Sequence, residues 1–313
     1  MKTKRNYKIN RICRKLYSKY RKNVISLVTA AVLLVTSMPL ADVSKVVSKM
    51  VSTLTNAISA MAEESYTDIS GNISNYVYTI QNAEDFKKLL NADPSVYQNI
   101  TIKFSNNTSQ FKDSDFEDIE KGLGTEEFPF KGTVTANVGS GITLPIRFAL
   151  FEYLSDGANL ASITFVRPED STTALLAENV IHDNNVTTAN KWEVTAEPTV
   201  DSDNTVYKAF TSVIGNMETG AISDLDISLN GVIKAEVSGG DNAGLACGTM
   251  SENTSLAVSV SNGSLDVSGK STAGAFVGKM GIGAALSVDK CDALTDIKVS
   301  ANNAGGLVGS AVN

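Results

Sequence analysis

Asn242-Ala-Gly-Leu-Ala-Cys-Gly248, Thr272-Ala-Gly-Ala-Phe-Val-Gly278 and Asn303-Ala-Gly-Gly-Leu-Val-Gly309 are the three stretches that decide the fold. Their flanking glycines advance from Gly244 to Gly274 to Gly305 and from Gly248 to Gly278 to Gly309, in steps of 30 and then 31 residues. A fixed period in this range marks an array in which each repeat is one supersecondary unit. A second marker keeps the same step: Gly215-Asn-Met217, Gly248-Thr-Met250 and Gly278-Lys-Met280 place an earlier coil before Gly244. Further upstream, Leu150-Phe151 followed by Leu160, Ile163 and Phe165 echoes Val213-Ile214 followed by Ile222, Leu225 and Ile227, about two periods away.

Within one period the apolar residues alternate, as in Leu256-Ala-Val258-Ser-Val260, Leu265-Asp-Val267, Leu286-Ser-Val288 and Ile297-Lys-Val299. Period two means strands. Three short strands per repeat, separated by Gly, Asn, Asp and Ser clusters, predict an all-β, right-handed parallel β-solenoid whose rungs stack about 4.8 Å apart. A single rung is too thin to bury its inward side chains, so the core forms between neighbours. The six motif glycines Gly244, Gly248, Gly274, Gly278, Gly305 and Gly309 are therefore structural: each turns the backbone through positive φ or admits a neighbouring coil.

Upstream of the coils, Asn82 to Leu90 predicts a short helix with Asn82 as N-cap, acids in its first turn and lysines behind them. Its apolar face, Ala83, Phe86, Leu89 and Leu90, suits a cap over the open end of the first coil. The segment between Pro168 and Pro198 interrupts the repeat and reads as an insertion on one face, near 167–205. The expected domains are 1–62 as a helical signal or anchor segment, 63–141 as cap and lead-in, and 142–313 as the solenoid. The last coil stops four residues past Gly309, so truncation at the C-terminus and continuation of the solenoid in a longer chain are expected.

The leader is read from charge. Ten Lys or Arg and no acid fall within the first 22 residues, while the whole 313-residue chain sums to −7, which leaves −17 on the remainder. Val24 to Leu40 then runs without a charge, and Ala60-Met61-Ala62 supplies an A-x-A site, the pattern of a secretory signal peptide or an uncleaved N-terminal anchor. Localisation is thus expected to be secreted or cell-surface, with membrane contact only through the N-terminal segment. So acidic a body repels phosphate backbones, and nucleic acid is excluded as a partner. Cys13 lies in the leader; Cys247 and Cys291 are expected as buried free thiols rather than a disulfide.

Ala304-Gly-Gly-Leu-Val-Gly309 resembles the GLUG motif found in tandem in large bacterial cell-surface proteins, including regions that accompany IgA-specific metallopeptidases. Phe128-Pro-Phe-Lys-Gly-Thr133 followed by Leu150-Phe151 is similar to the lead-in of such domains, although Glu152 stands where the family's first coil has glycine. The resemblance covers roughly residues 78–313. It implies a Gram-positive cell-surface β-helix with a structural or adhesive role toward host or matrix glycans or proteins. The alternative it implies is the non-catalytic arm of a larger secreted peptidase or polysaccharide-degrading enzyme.

No enzyme is expected, and no catalytic, cofactor or metal residues are assigned. The zinc-binding H-E-x-x-H pattern is absent: the single histidine, His182, is followed by Asp183-Asn184-Asn185. Asp113, Asp115, Glu117 and Asp118 alternate like a calcium loop, but Asp118 occupies the position where the turn needs glycine. Asp201, Asp203 and Asn204 read as turn residues. Asp224, Asp226, Asp289 and Asp292 are the acids that glycan cleavage could draw on, since such cleavage needs two carboxylates side by side. Trp192 is expected in the core, with sugar stacking as its alternative.

Overall fold

The computed structural model describes residues 68–313 apart from 106–107, 109–110, 138–140, 168–172, 183–190, 201–205, 208–209, 230–233, 240–241 and 313. The leader, with Cys13, and the turn residues Asp201, Asp203 and Asn204 lie outside the described residues. Alternating apolar residues build strands, and the strands stack as an all-β, parallel β-solenoid of about five turns.

One stack consists of six short parallel strands, Phe151–Ser155, Ala177–Ile181, Ile214–Met217, Cys247–Met250, Val277–Met280 and Val308–Ala311. Its inward column runs Phe151, Ala177, Ile214, Cys247, Val277, Val308, each the direct partner of the next. Met217, Met250 and Met280 are likewise stacked, as their spacing predicts. A second stack holds Ile142–Leu144, Ile163–Arg167, Lys191–Val200, Ala221–Leu229, Ser255–Gly269 and Ala285–Ser300, all parallel. Asn242–Ala243, Thr272–Gly274 and Asn303–Gly305 form a third. One coil beginning at Cys247 thus contains Cys247–Met250, Ser255–Gly269 and Thr272–Gly274. The strand pieces around Leu256 and Leu265 are one continuous fifteen-residue strand that slips register beside Gly263, whose φ of 109° needs glycine.

The glycine ladder is steric. A methyl on Gly248 would lie 2.7 Å from the Gly215 carbonyl oxygen, one on Gly278 2.7 Å from that of Gly248, and one on Gly309 2.6 Å from that of Gly278. The two glycines of a motif also serve each other across coils: a methyl on Gly244 would meet the Gly278 amide nitrogen at 2.7 Å, and one on Gly274 the Gly309 nitrogen at 2.5 Å. Among the described residues the left-handed glycines are Gly124, Gly220, Gly263 and Gly283 instead, so close approach and not positive φ explains the motif.

The segment between Pro168 and Pro198 does not interrupt the stack. Ala177–Ile181 pairs with both its neighbours in the first stack, and Lys191–Val200 does so in the second. This stretch is a coil of its own, lengthened so that Ala177 to Ile214 spans 37 residues. The upstream echo holds for Phe151 and Ile214, two coils apart, but Ile163 stacks through Val194 onto Ile227 rather than Leu225. The offset of two residues keeps the inward face, because strand side chains alternate with period two.

The lead-in repeats the same logic with larger side chains. Val77–Ile80, Thr101–Phe104, Thr133–Ala136 and Asn159–Leu160 stack in parallel, aligning Tyr78, Ile102, Val134 and Leu160 inward. The helix Ala83–Leu90, here α1, forms as expected: Asn82 Oδ1 accepts the Asp85 N–H at 2.9 Å, and Phe86 and Leu89 are its buried residues. Phe86 meets the rings of Phe104, Phe111 and Phe116 at 5.6, 6.4 and 5.5 Å. Phe130 of the Phe128-Pro-Phe stretch stacks on Phe151 at 5.1 Å, tying the lead-in to the first short strand.

Candidate functional site

Inward residues of the second stack are buried, so the residues between them face outward. One outward row reads Thr143, Thr164, Thr195, Ser228, Ser261, one hydroxyl residue on each of the first five rungs, with Asp292 at that register on the sixth. All five are partly exposed, and the first four lie between buried neighbours, for example Ile163 and Phe165 around Thr164. The adjacent row carries charge: Glu193 is the partner of Asp226, and Lys191 of Asp224. Lys191 Nζ reaches Asp226 at 2.8 Å and Glu193 at 3.0 Å, and these two carboxylates hold its ammonium above the ordinary lysine range. Burial, then the charge of Asp226, raises the Asp224 carboxyl above its usual value. Asp226 is committed to Lys191, and Asp289 takes a hydrogen bond from Ser287 at 2.6 Å.

His182 has a partner that sequence reading missed. Asp156, buried at 6% exposure, lies 2.8 Å from His182 Nδ1 and accepts the Ala221 N–H at 3.1 Å. Asp156, His182 and Ala221 belong to three successive coils, so one carboxylate fastens three turns at a corner. Gly220 at φ 98° lets the chain pass the carboxylate, since a methyl there would sit 2.3 Å from Oδ2. Separations of 26 and 65 residues hid this group from any local motif.

A further acidic patch surrounds Tyr153. Burial first, then the charges of Glu218, Glu126 and Glu152, raises its phenol, and burial followed by Glu126 raises Glu218. Three of the other acids singled out have partners, and the side chain of Asp292 lies outside the described residues. Asp113 pairs with Arg147, the Asp115 carboxylate accepts the Lys112 N–H at 2.8 Å, and Asp118 meets Lys87 at 2.8 Å, in and beside the 3-10 turn Asp113–Phe116. Trp192 is fully buried and donates its Nε1–H to the Ala158 carbonyl at 3.0 Å, so it packs the core. Of the cysteines, Cys247 is buried, which pushes its thiol up to about 12, whereas Cys291 is exposed, contrary to expectation. Cys291 stacks beside Val260, on a strand that pairs with one neighbour among the described residues.

Among the described residues no group of three or more His, Cys, Asp or Glu is placed to hold a metal ion, and no helix is long and apolar enough to cross a membrane. The arrangement is that of a parallel β-solenoid with a polar, laddered outer face. No protein-family model, curated protein or solved structure matches the chain.

Proposed function

We propose that this chain is an exported cell-surface module that is structural or adhesive and not catalytic, presenting the outer face of its second stack to glycans or proteins of a host or matrix. The observation that carries this reading is the hydroxyl row Thr143, Thr164, Thr195, Ser228 and Ser261 on five consecutive rungs, beside the charged pair of Glu193 and Asp226. Hydroxyls repeated about every 4.8 Å on rigid strands suit repeated hydrogen bonding to an extended polymer. In this reading the solenoid winds right-handed with three strands per coil, and α1 caps its first end. The six motif glycines are scaffold, of the kind the GLUG resemblance implies, and residues 1–62 are the export signal or anchor of a Gram-positive protein.

The test is retention of the full-length chain on immobilised matrix glycans and matrix proteins, compared with a variant carrying Thr164→Lys, Thr195→Lys and Ser228→Lys. Retention by at least one surface, lost in the triple variant, is expected. Equal retention of both proteins, or cleavage of a polysaccharide by the parent chain, would overturn the reading.

A further inference from the structure

The lead-in begins with a strained turn. Ile73–Ser74 folds back antiparallel on Val77–Ile80, pairing Ile73 with Tyr78 and Ser74 with Val77, so Asn75 and Tyr76 form the two-residue loop between them. Both have positive φ, 52° and 61°, the backbone of a type I′ turn. Asparagine suits the first position, but the second favours glycine, and a bulky side chain there is strained. Tyr76 is also 80% exposed, the most exposed large apolar side chain among the described residues. Neither burial nor turn preference accounts for a tyrosine here, and strain of this kind points to a use. Its backbone is fixed nevertheless, because the Thr101 N–H donates to the Tyr76 carbonyl at 2.8 Å.

Tyr76 stands at the edge of a sheet face without acids. Tyr78, Ile80, Ile102 and Phe104 are buried, so the residues between them face outward. One outward row is Val77, Thr101, Thr133, Asn159, and the next is Thr79, Lys103, Thr135, each residue the direct partner of the next. All seven are at least partly exposed. The two rows offer hydroxyls, one amide and one ammonium but no carboxylate, in a chain whose residues after position 22 sum to −17. Among the described residues Lys103 has no ion pair.

We propose that this face, with Tyr76 as its aromatic edge, binds an uncharged sugar polymer. Charge narrows the class of ligand. A polyanion is repelled by the acidic body, and a polycation finds no carboxylate in the two rows to pair with. An uncharged polyhydroxyl chain meets neither obstacle. Tyr76 offers a ring for the apolar side of a sugar, while the threonine hydroxyls, Asn159 and Lys103 supply hydrogen-bond donors, and all of these except Lys103 also accept. The strain at Tyr76 is then explained, since glycine would relax the turn but remove the ring. This face belongs to a different sheet from the hydroxyl row of the second stack. The inference therefore stands or falls separately from the reading of that row.

The test is affinity electrophoresis of the full-length chain in gels containing glucomannan, xyloglucan or mixed-linkage β-glucan, with polygalacturonate as the acidic control. Retardation by at least one neutral polymer and none by polygalacturonate is expected. Tyr76→Gly should weaken that binding about tenfold, the loss of an aromatic anchor. Lys103→Ala should weaken it about threefold, the loss of one hydrogen bond. Because glycine fits the turn, Tyr76→Gly should also raise the melting temperature by about 1–2 °C, so that lost binding is not lost folding. The variant carrying Thr164→Lys, Thr195→Lys and Ser228→Lys should bind these polymers as the parent does. The inference is overturned if no neutral polymer retards the chain, if polygalacturonate alone does, or if Tyr76→Gly binds as well as the parent. A Tyr76→Gly chain that melts lower than the parent, or binding lost only in the triple-lysine variant, would overturn it equally.

Discussion

The two ends of the solenoid fill the same kind of interior by different means. Before Ile214 the interior is aromatic, with Phe86, Phe104, Phe130, Phe151, Phe165 and Trp192 fully buried, and the steps between short strands are uneven, 26 residues from Phe151 to Ala177 and 37 from Ala177 to Ile214. After Cys247 the buried apolar interior is made of Ala, Leu, Val, Met250 and a single Phe, and the steps settle at 30 and 31 residues. Large rings can bridge coils whose turns differ in length, because one ring reaches several neighbours. Small side chains cannot, so the backbones themselves must touch, and the glycine ladder is what permits this. Regular spacing is therefore a consequence of a backbone-packed interior, and irregular spacing is tolerated where side chains do the packing.

The largest effect is expected from removing an aromatic. Trp192→Ala should cost about 4 kcal/mol in chemical denaturation, since it leaves a large cavity and also orphans the Ala158 carbonyl. If aromatic bridging is not what holds the uneven coils together, the loss will be no greater than about 1 kcal/mol, the size of an ordinary substitution.

In the backbone-packed part the corresponding lesion adds atoms. Gly278→Val should cost about 3 kcal/mol or prevent folding, because its Cβ would lie 2.6 Å from the Ala243 nitrogen and 2.7 Å from the Gly248 oxygen, both backbone. Gly306→Val, in the same motif region with open space around it, should stay within about 0.5 kcal/mol of the parent. Similar midpoints for these two variants in urea would show that coil contact is not what the motif glycines provide.

This contrast also explains what was legible in the sequence. Gly248, Gly278 and Gly309 recur because backbone contact fixes their spacing, so the period, the strands and the pairing of Val277 with Val308 could be read directly. The coil containing Ala177 and Lys191 was hidden because its length is set by Trp192 and its neighbours, which impose no period, and it passed for an insertion. Asp156 and His182 were illegible for another reason: their contact depends on where turns of two coils fall, and no local spacing encodes that. The exposure of Cys291 goes with a strand that has a single neighbour among the described residues, which the alternating pattern of that strand cannot report.

The Asp156 corner joins the two regimes, and its loss should be intermediate. Asp156→Ala leaves the Ala221 N–H without its acceptor and should cost about 2 kcal/mol, whereas His182→Ala, whose side chain is 44% exposed, should cost under about 1 kcal/mol. Thermal melts of the two variants give the ranking, and a larger loss for His182→Ala would place the staple in the imidazole contact and not in the amide.

The smallest effect concerns Glu218, at the boundary between the aromatic and the backbone-packed coils. Its carboxyl is raised above the ordinary value of 4.5 by burial and then by Glu126, so the folded state holds the proton more tightly than the unfolded chain does. Ionisation of Glu218 therefore costs stability at neutral pH, and that cost disappears as pH falls through the raised value. Glu218→Gln should accordingly stabilise the protein at pH 7 by a few tenths of a kcal/mol, about the scale of a solvent-screened charge. The gain should vanish on acidification toward and below about pH 4, near the unperturbed carboxyl range. Melting temperatures of parent and variant across that window decide it, and a gain that persists in acid would mean that the substituted amide side chain packs better than the native carboxyl, with no charge relieved.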